Sequence, residues 1–114
     1  MAVPVHSSPL LILGALVIAL LAPVAMAEQP TPERQQQLDN LLLQDCGSCH
    51  GLRMTGGLGP ALTLEALAGK PRDSLVATVT HGRPGTAMPG WNALLDEQEI
   101  AWLVDLLLEG YPRP

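Results

Sequence analysis

Two cysteines and a histidine stand together near the middle of the chain, in the pentapeptide Cys46-Gly47-Ser48-Cys49-His50. A close cysteine pair in an exported protein could form a disulfide, hold a metal ion or attach a haem. A haem needs only this pentapeptide, because two cysteines three residues apart on one helical turn can both reach the vinyl groups of one porphyrin. The adjacent imidazole can then point at the iron from the same side.

The other two interpretations make demands that the sequence does not meet. A thioredoxin-type dithiol would follow a strand, whereas the residues before Cys46 show helical periodicity. Zinc needs four protein ligands, and the remaining histidines, His6 and His81, are too few and unsuitably spaced. The motif therefore predicts one covalent haem c with its iron per chain, attached at Cys46 and Cys49, with His50 as an axial ligand.

Three side chains could supply the second axial ligand, and the position could also stay open. Met54 lies only four residues after the motif, so we expect it to cover an edge of the haem. His81 would give a bis-histidine iron, but a histidine at a helix C-terminus is also an ordinary partner of the helix dipole. Met88 lies between glycines and prolines in residues 85–90, a loop able to present one side chain at a fixed point. We predict Met88 as the second ligand, which would raise the reduction potential.

The first predicted helix carries the motif. Thr31 can cap it, Pro32 suits its first position, and the helix then runs toward the cysteines. One apolar stripe joins its buried face to the attachment points (Leu38, Leu41, Leu42, Cys46 and Cys49). Glycines in residues 51–60 then predict a tight loop, after which Leu62, Leu64 and Leu67 are expected to pack inward.

Two further helices follow. Pro71–Thr80 fits a short helix that Gly82 ends, with Leu75, Val76 and Val79 on its apolar face. The last helix begins with a capping box, Asp96 and Glu99, flanked by the apolar pair Leu95 and Ile100. Its core stripe continues through four more residues, and Gly110 and Pro112 end it (Leu103, Val104, Leu107 and Leu108). The pattern predicts an all-α fold of three to four helices around one prosthetic group.

The first 27 residues are predicted to be a cleaved signal peptide. Leu10–Ala22 is an almost uninterrupted apolar run, and Ala25-Met26-Ala27 supplies the small-x-small pattern that a signal peptidase requires. An uncleaved anchor is the alternative, although Pro23 argues against a stable membrane helix. Cleavage before Glu28 would leave residues 28–114 as one domain, exported to the periplasm with no membrane span.

Composition agrees with a small domain built around a cofactor. The chain has 114 residues and no Phe, so its aliphatic side chains must pack around something large. Its formal net charge is −5, which argues against nucleic acid as a partner and is compatible with docking onto a basic protein surface.

Three segments together resemble a small class I cytochrome c: residues 46–51, residues 59–62, and Met88-Pro89 ahead of the last helix. The resemblance implies the class I fold and a monomeric electron carrier with no catalytic residues. It also implies that the Pro60 carbonyl accepts a hydrogen bond from the second ring nitrogen of His50.

A narrower likeness, carried by residues 55–62 and 82–89, is to the cytochrome c55X (NirC) family of denitrifying bacteria. It implies a periplasmic redox partner of the haem d1 nitrite reductase. The alternative is an accessory role in haem d1 biosynthesis or in maturation of that reductase. Where this family leads us to expect a second proline after Met88-Pro89, the chain has Gly90. Arg83, Lys70 and Trp91 could each bond a haem propionate, and Arg83 and Lys70 could equally be solvated.

Overall fold

The computed structural model describes residues 1–4 and 28–113. It contains the helices α1 (Pro32–Leu41), α2 (Gly47–His50), α3 (Leu64–Leu67), α4 (Arg72–His81) and α5 (Glu97–Glu109), with a π-helical turn (Leu42–Cys46) between α1 and α2. Residues 28–113 contain no strand, which confirms the all-α prediction. Apart from residues 1–4, the predicted signal peptide lies outside the described residues. In the part of the chain that is described, no helix has the length and apolar character needed to cross a membrane.

The helical run that carries the motif is continuous from Pro32 to His50. Thr31 caps it as predicted, since its side chain accepts a hydrogen bond from the Arg34 amide at 3.3 Å. The sequence did not predict the π-helical turn, in which the Gly47 amide bonds to the Leu42 carbonyl five residues back. This wider turn ends on Cys46 and so shifts the helical register where the cysteine pair begins.

Helix α5 begins with the predicted capping box. The Glu99 amide donates to the Asp96 carboxylate at 2.9 Å, and the Asp96 amide donates back to Glu99 at 3.1 Å. Glu99 also forms an ion pair with Arg34, and this contact lowers the pKa of the Glu99 carboxyl. One carboxylate therefore caps α5 and joins it to α1.

Helix α4 matches its prediction within one residue at each end. Its helical hydrogen bonding ends at Gly82, where φ is +68°. Arg72 binds Asp105 of α5 through two hydrogen bonds, of 2.6 and 2.8 Å. Charged side chains thus tie α5 to α1 through Glu99 and to α4 through Asp105.

The core forms where α5 packs against α1, α3 and α4. Its fully or nearly fully buried side chains are Leu38, Leu42, Met54, Leu67, Leu95, Ile100, Leu103, Val104, Leu106 and Leu107. The predicted burial of Leu64 is wrong, since 54% of it is exposed. Helix α3 has a single turn, so only Leu67 on its far side reaches the core. Leu106 is buried although the predicted stripe omitted it, because α5 has neighbours on more than one side.

Candidate functional site

Cys46 and Cys49 lie on the same helical run, at and just after the π-helical turn. Both are free and half-buried. Burial raises the pKa of the Cys46 thiol to about 11, with a smaller contribution from the charge of Asp45. An unattached Cys46 is therefore a neutral thiol at physiological pH and a weak nucleophile.

His50 ends α2 and is 8% exposed. Its Nδ1 lies 2.7 Å from the carbonyl oxygen of Pro60. Because a carbonyl only accepts, Nδ1 must carry the proton in this hydrogen bond, and Nε2 then has the free lone pair. Within the described residues, Nε2 forms no hydrogen bond. The imidazole is thus held by one nitrogen and offers the other.

The loop after α2 wraps its backbone around this imidazole. The Gly56 amide donates to the His50 carbonyl and the Gly59 amide donates to the Cys49 carbonyl, each at 2.8 Å. Gly59 lies directly against the ring, since a Cβ added there would be 2.8 Å from both His50 Nδ1 and Cε1. Sequence reasoning missed this role of Gly59, although the Gly-Pro pair was visible as a signal.

Met54 lies in the same loop and is completely buried in the core. Its φ is +57°, and its carbonyl accepts from the Leu62 amide at 2.8 Å. The burial of its side chain and the hydrogen bond from Leu62 attach the loop to the core. Met54 is therefore a core residue.

Met88 is half-buried in the loop that leaves α4 and returns ahead of α5. His81, the alternative ligand, is the exposed last residue of α4. Lys70 and Arg83 are exposed, whereas Trp91 is partly buried and packs against the core.

The donor set suits a haem by its chemistry. It comprises two thiols three residues apart on one helical run, an imidazole with one nitrogen already fixed, and a thioether on a second loop. Gly59 supplies a cradle that any larger residue would fill. Across the described residues, no group of three or more His, Cys, Asp and Glu side chains is arranged to hold a bare metal ion.

An all-helical domain with a Cys-x-x-Cys-His turn defines a small c-type cytochrome. Residues 33–107 match the family model described as cytochrome C oxidase, cbb3-type, subunit III. The chain belongs to the cytochrome c55X family within this class, since it is 81% identical over 100 residues to cytochrome c55X of Stutzerimonas stutzeri. That alignment covers 88% of each chain.

Solved structures agree with this assignment. A c-type cytochrome named NirC is 67% identical, with a TM-score of 0.71, and the match covers 75% of this chain and all of that one. Dihydro-heme d1 dehydrogenase NirN, solved in complex with DHE, is 36% identical with a TM-score of 0.60, over 66% of this chain and 16% of that one. The protein is accordingly a c-type cytochrome with the class I fold, which binds haem c and transfers electrons.

Proposed function

We propose that residues 28–114 act in the periplasm as a monomeric electron carrier with a single haem, bonded covalently to Cys46 and Cys49, with His50 and Met88 as axial ligands. When bound, the haem supplies a one-electron iron couple. The observation that carries the proposal is the His50 imidazole, which is buried, held at Nδ1 by Pro60 and without a hydrogen-bonding partner at Nε2 among the described residues.

The orientation of His50 is set by the polypeptide itself. Donation from Nδ1 to the Pro60 carbonyl fixes the tautomer and the ring plane and makes Nε2 more basic. The backbone at Gly59 prevents the ring from tilting toward the loop. The loop thus keeps one lone pair aimed at a fixed point.

Met88 supplies a thioether, which has no proton to lose and favours the reduced state of iron. Its setting differs from that of Met54, which is fully buried in the core. A half-buried methionine in a constrained loop suits a ligand better than it suits core filling.

The surface around the proposed ligands differs in charge from the whole chain. Residues 46–64 and 82–95 contain no Asp or Glu, so all eleven acidic side chains lie elsewhere. Arg53 and Arg83 are exposed on these two loops. Four leucines in these two ranges are also exposed: Leu52 at 60%, Leu58 at 91%, Leu64 at 54% and Leu94 at 72%. The site therefore favours a partner with carboxylates around an apolar patch, although the net charge alone pointed to a basic one.

The resemblance to cytochrome c55X supports haem d1 nitrite reductase as the electron acceptor. A second candidate is a redox accessory role in haem d1 biosynthesis or in maturation of that reductase. The 36% identity to dihydro-heme d1 dehydrogenase NirN favours this second candidate. Both functions use the same haem, ligands and compartment.

Stopped-flow mixing of the reduced cytochrome with purified oxidised nitrite reductase tests the first candidate. We expect reoxidation of the cytochrome, with a rate that falls as ionic strength rises. Absence of electron transfer at every ionic strength would exclude this acceptor. Deleting the gene tests the second candidate, because a reductase that is still fully loaded with haem d1 would exclude a maturation role.

A further inference from the structure

The loop that carries Met88 is closed onto the end of α4 by backbone hydrogen bonds. A helix leaves its last carbonyls without partners, and the returning chain supplies them here. The Trp91 amide donates to the Val79 carbonyl at 3.0 Å, and the Asn92 amide donates to the Thr80 carbonyl at 3.4 Å. Both ends of residues 82–90 are therefore fixed to one rigid element.

Two glycines make this closure possible. A Cβ added at Gly82 would lie 2.6 Å from the Met88 carbonyl oxygen and 2.5 Å from the Pro89 carbonyl carbon. A Cβ added at Gly90 would lie 2.8 Å from the Thr80 carbonyl oxygen. Gly82 also has φ +68° and ψ −166°, a conformation that only glycine adopts readily. The beginning and the end of the loop are thus in direct backbone contact. This contact leaves no room for a side chain at position 90, which explains Gly90 where a proline was expected.

Within the closed loop, Met88 is held at both of its backbone polar groups. Its carbonyl accepts from the Arg83 amide at 3.1 Å. Its amide donates to the Thr86 hydroxyl at 3.3 Å, and that hydroxyl donates in turn to the Arg83 carbonyl at 2.7 Å. A single hydroxyl therefore connects the amide of Met88 to the opposite side of the loop.

We propose that Thr86 is a positioning residue for Met88: its hydroxyl bridge, inside the loop closed by Gly82 and Gly90, keeps the thioether directed at the iron. The inference rests on the proposed role of Met88 as an axial ligand. The ligand can detach only when the loop opens, and the hydroxyl bridge opposes that opening. Removing the bridge should raise the population of open loop about five-fold, the effect of one hydrogen bond of ordinary net strength.

The test compares three variants of the haem-loaded protein. Thr86→Val keeps the shape of the side chain and removes the hydroxyl, whereas Thr86→Ser keeps the hydroxyl. Thr78→Val is the matched control, because Thr78 also bonds a backbone carbonyl, that of Ser74 at 2.9 Å, but does so within α4. Carbon monoxide binds the reduced iron only after the methionine leaves, so its association rate reports loop opening.

We expect carbon monoxide to associate about five-fold faster with Thr86→Val, and at nearly the wild-type rate with Thr86→Ser and Thr78→Val. The thioether-to-iron charge-transfer band of the oxidised protein should weaken only in Thr86→Val. Unchanged band and rate in Thr86→Val would overturn the inference. A change confined to the pH dependence of the potential would also overturn it, since Thr86 would then act on a propionate. A wild-type protein without the charge-transfer band would instead refute Met88 as the ligand.

Discussion

Replacing Gly59 by alanine should disturb the iron through His50 without removing any ligand. The added Cβ would be 2.8 Å from Nδ1 and Cε1 of the imidazole, and ordinary contact begins at 3.4 Å. The ring must therefore move by about 0.6 Å, that is 3.4 minus 2.8. Motion of that size along the hydrogen bond would stretch the 2.7 Å contact with Pro60 to about 3.3 Å, beyond the usual range.

Loss of this bond should lower the free energy of unfolding by about 1 kcal/mol. The bond makes Nε2 more basic and so favours oxidised iron. The full free energy of this hydrogen bond corresponds to about a five-fold change in an equilibrium constant. If all of it stabilises the oxidised state alone, loss of the bond raises the reduction potential by about 40 mV, which is an upper bound. Spectroelectrochemical titration of Gly59→Ala measures the shift.

Gly69→Ala is the control for this prediction. A Cβ at Gly69 meets no atom within 4 Å, although φ there is +75°. The control should therefore lose about 1 kcal/mol of stability through backbone strain and keep the wild-type potential. A Gly59→Ala protein whose potential equals that of wild type would refute the role assigned to the His50–Pro60 contact.

Two further predictions concern charge. Glu99→Gln should destabilise the fold by about 0.5 kcal/mol at neutral pH, because it breaks the partly exposed ion pair with Arg34 while glutamine can keep the capping-box hydrogen bond. Folding lowers the pKa of Glu99 below the ordinary glutamate value of 4.5. The contribution of this carboxylate to stability is therefore complete well above pH 4.5 and is lost as the pH falls through the lowered pKa. Denaturant unfolding of the wild type and of Glu99→Gln across that pH range should show that the difference in their free energies of unfolding vanishes at low pH. A difference that does not change with pH would contradict this role of Glu99. Arg53→Glu and Arg83→Glu should slow electron transfer to the proposed acceptor, the nitrite reductase, about ten-fold at low salt, with Arg113→Glu as the exposed control. Stopped-flow rates measure this effect, and equal slowing by all three variants would show that the loops are not the docking surface.

Local sequence signals predicted most of the fold. The capping box of α5, the cap at Thr31 and the stop at Gly82 each depend on residues within one helical turn, so the pattern contains the whole interaction. Leu64 was misplaced because burial in a one-turn helix depends on which neighbour covers it, and periodicity cannot supply that information.

The site was predictable only in its chemistry. The motif predicts Cys46, Cys49 and His50, while the hydrogen bond from His50 to Pro60 came from family resemblance. The contact of Gly59 with the imidazole and the contact of Gly82 with Gly90 depend on parts of the chain that meet only in the folded protein. Neither contact leaves a periodic pattern in the sequence, because Gly59 is required by the closeness of the His50 side chain, and Gly82 and Gly90 by the closeness of another segment of backbone.

The central claim is that one haem is bonded covalently to Cys46 and Cys49. The most direct measurement is extraction of the purified, exported protein with acidified organic solvent, followed by mass spectrometry of the denatured chain. We predict that the chain keeps the mass of one haem, and that the Cys46→Ala, Cys49→Ala double variant neither keeps haem nor accumulates in folded form. Removal of the haem from the wild-type chain by extraction, or a cooperative thermal transition of the double variant without haem, would contradict the account.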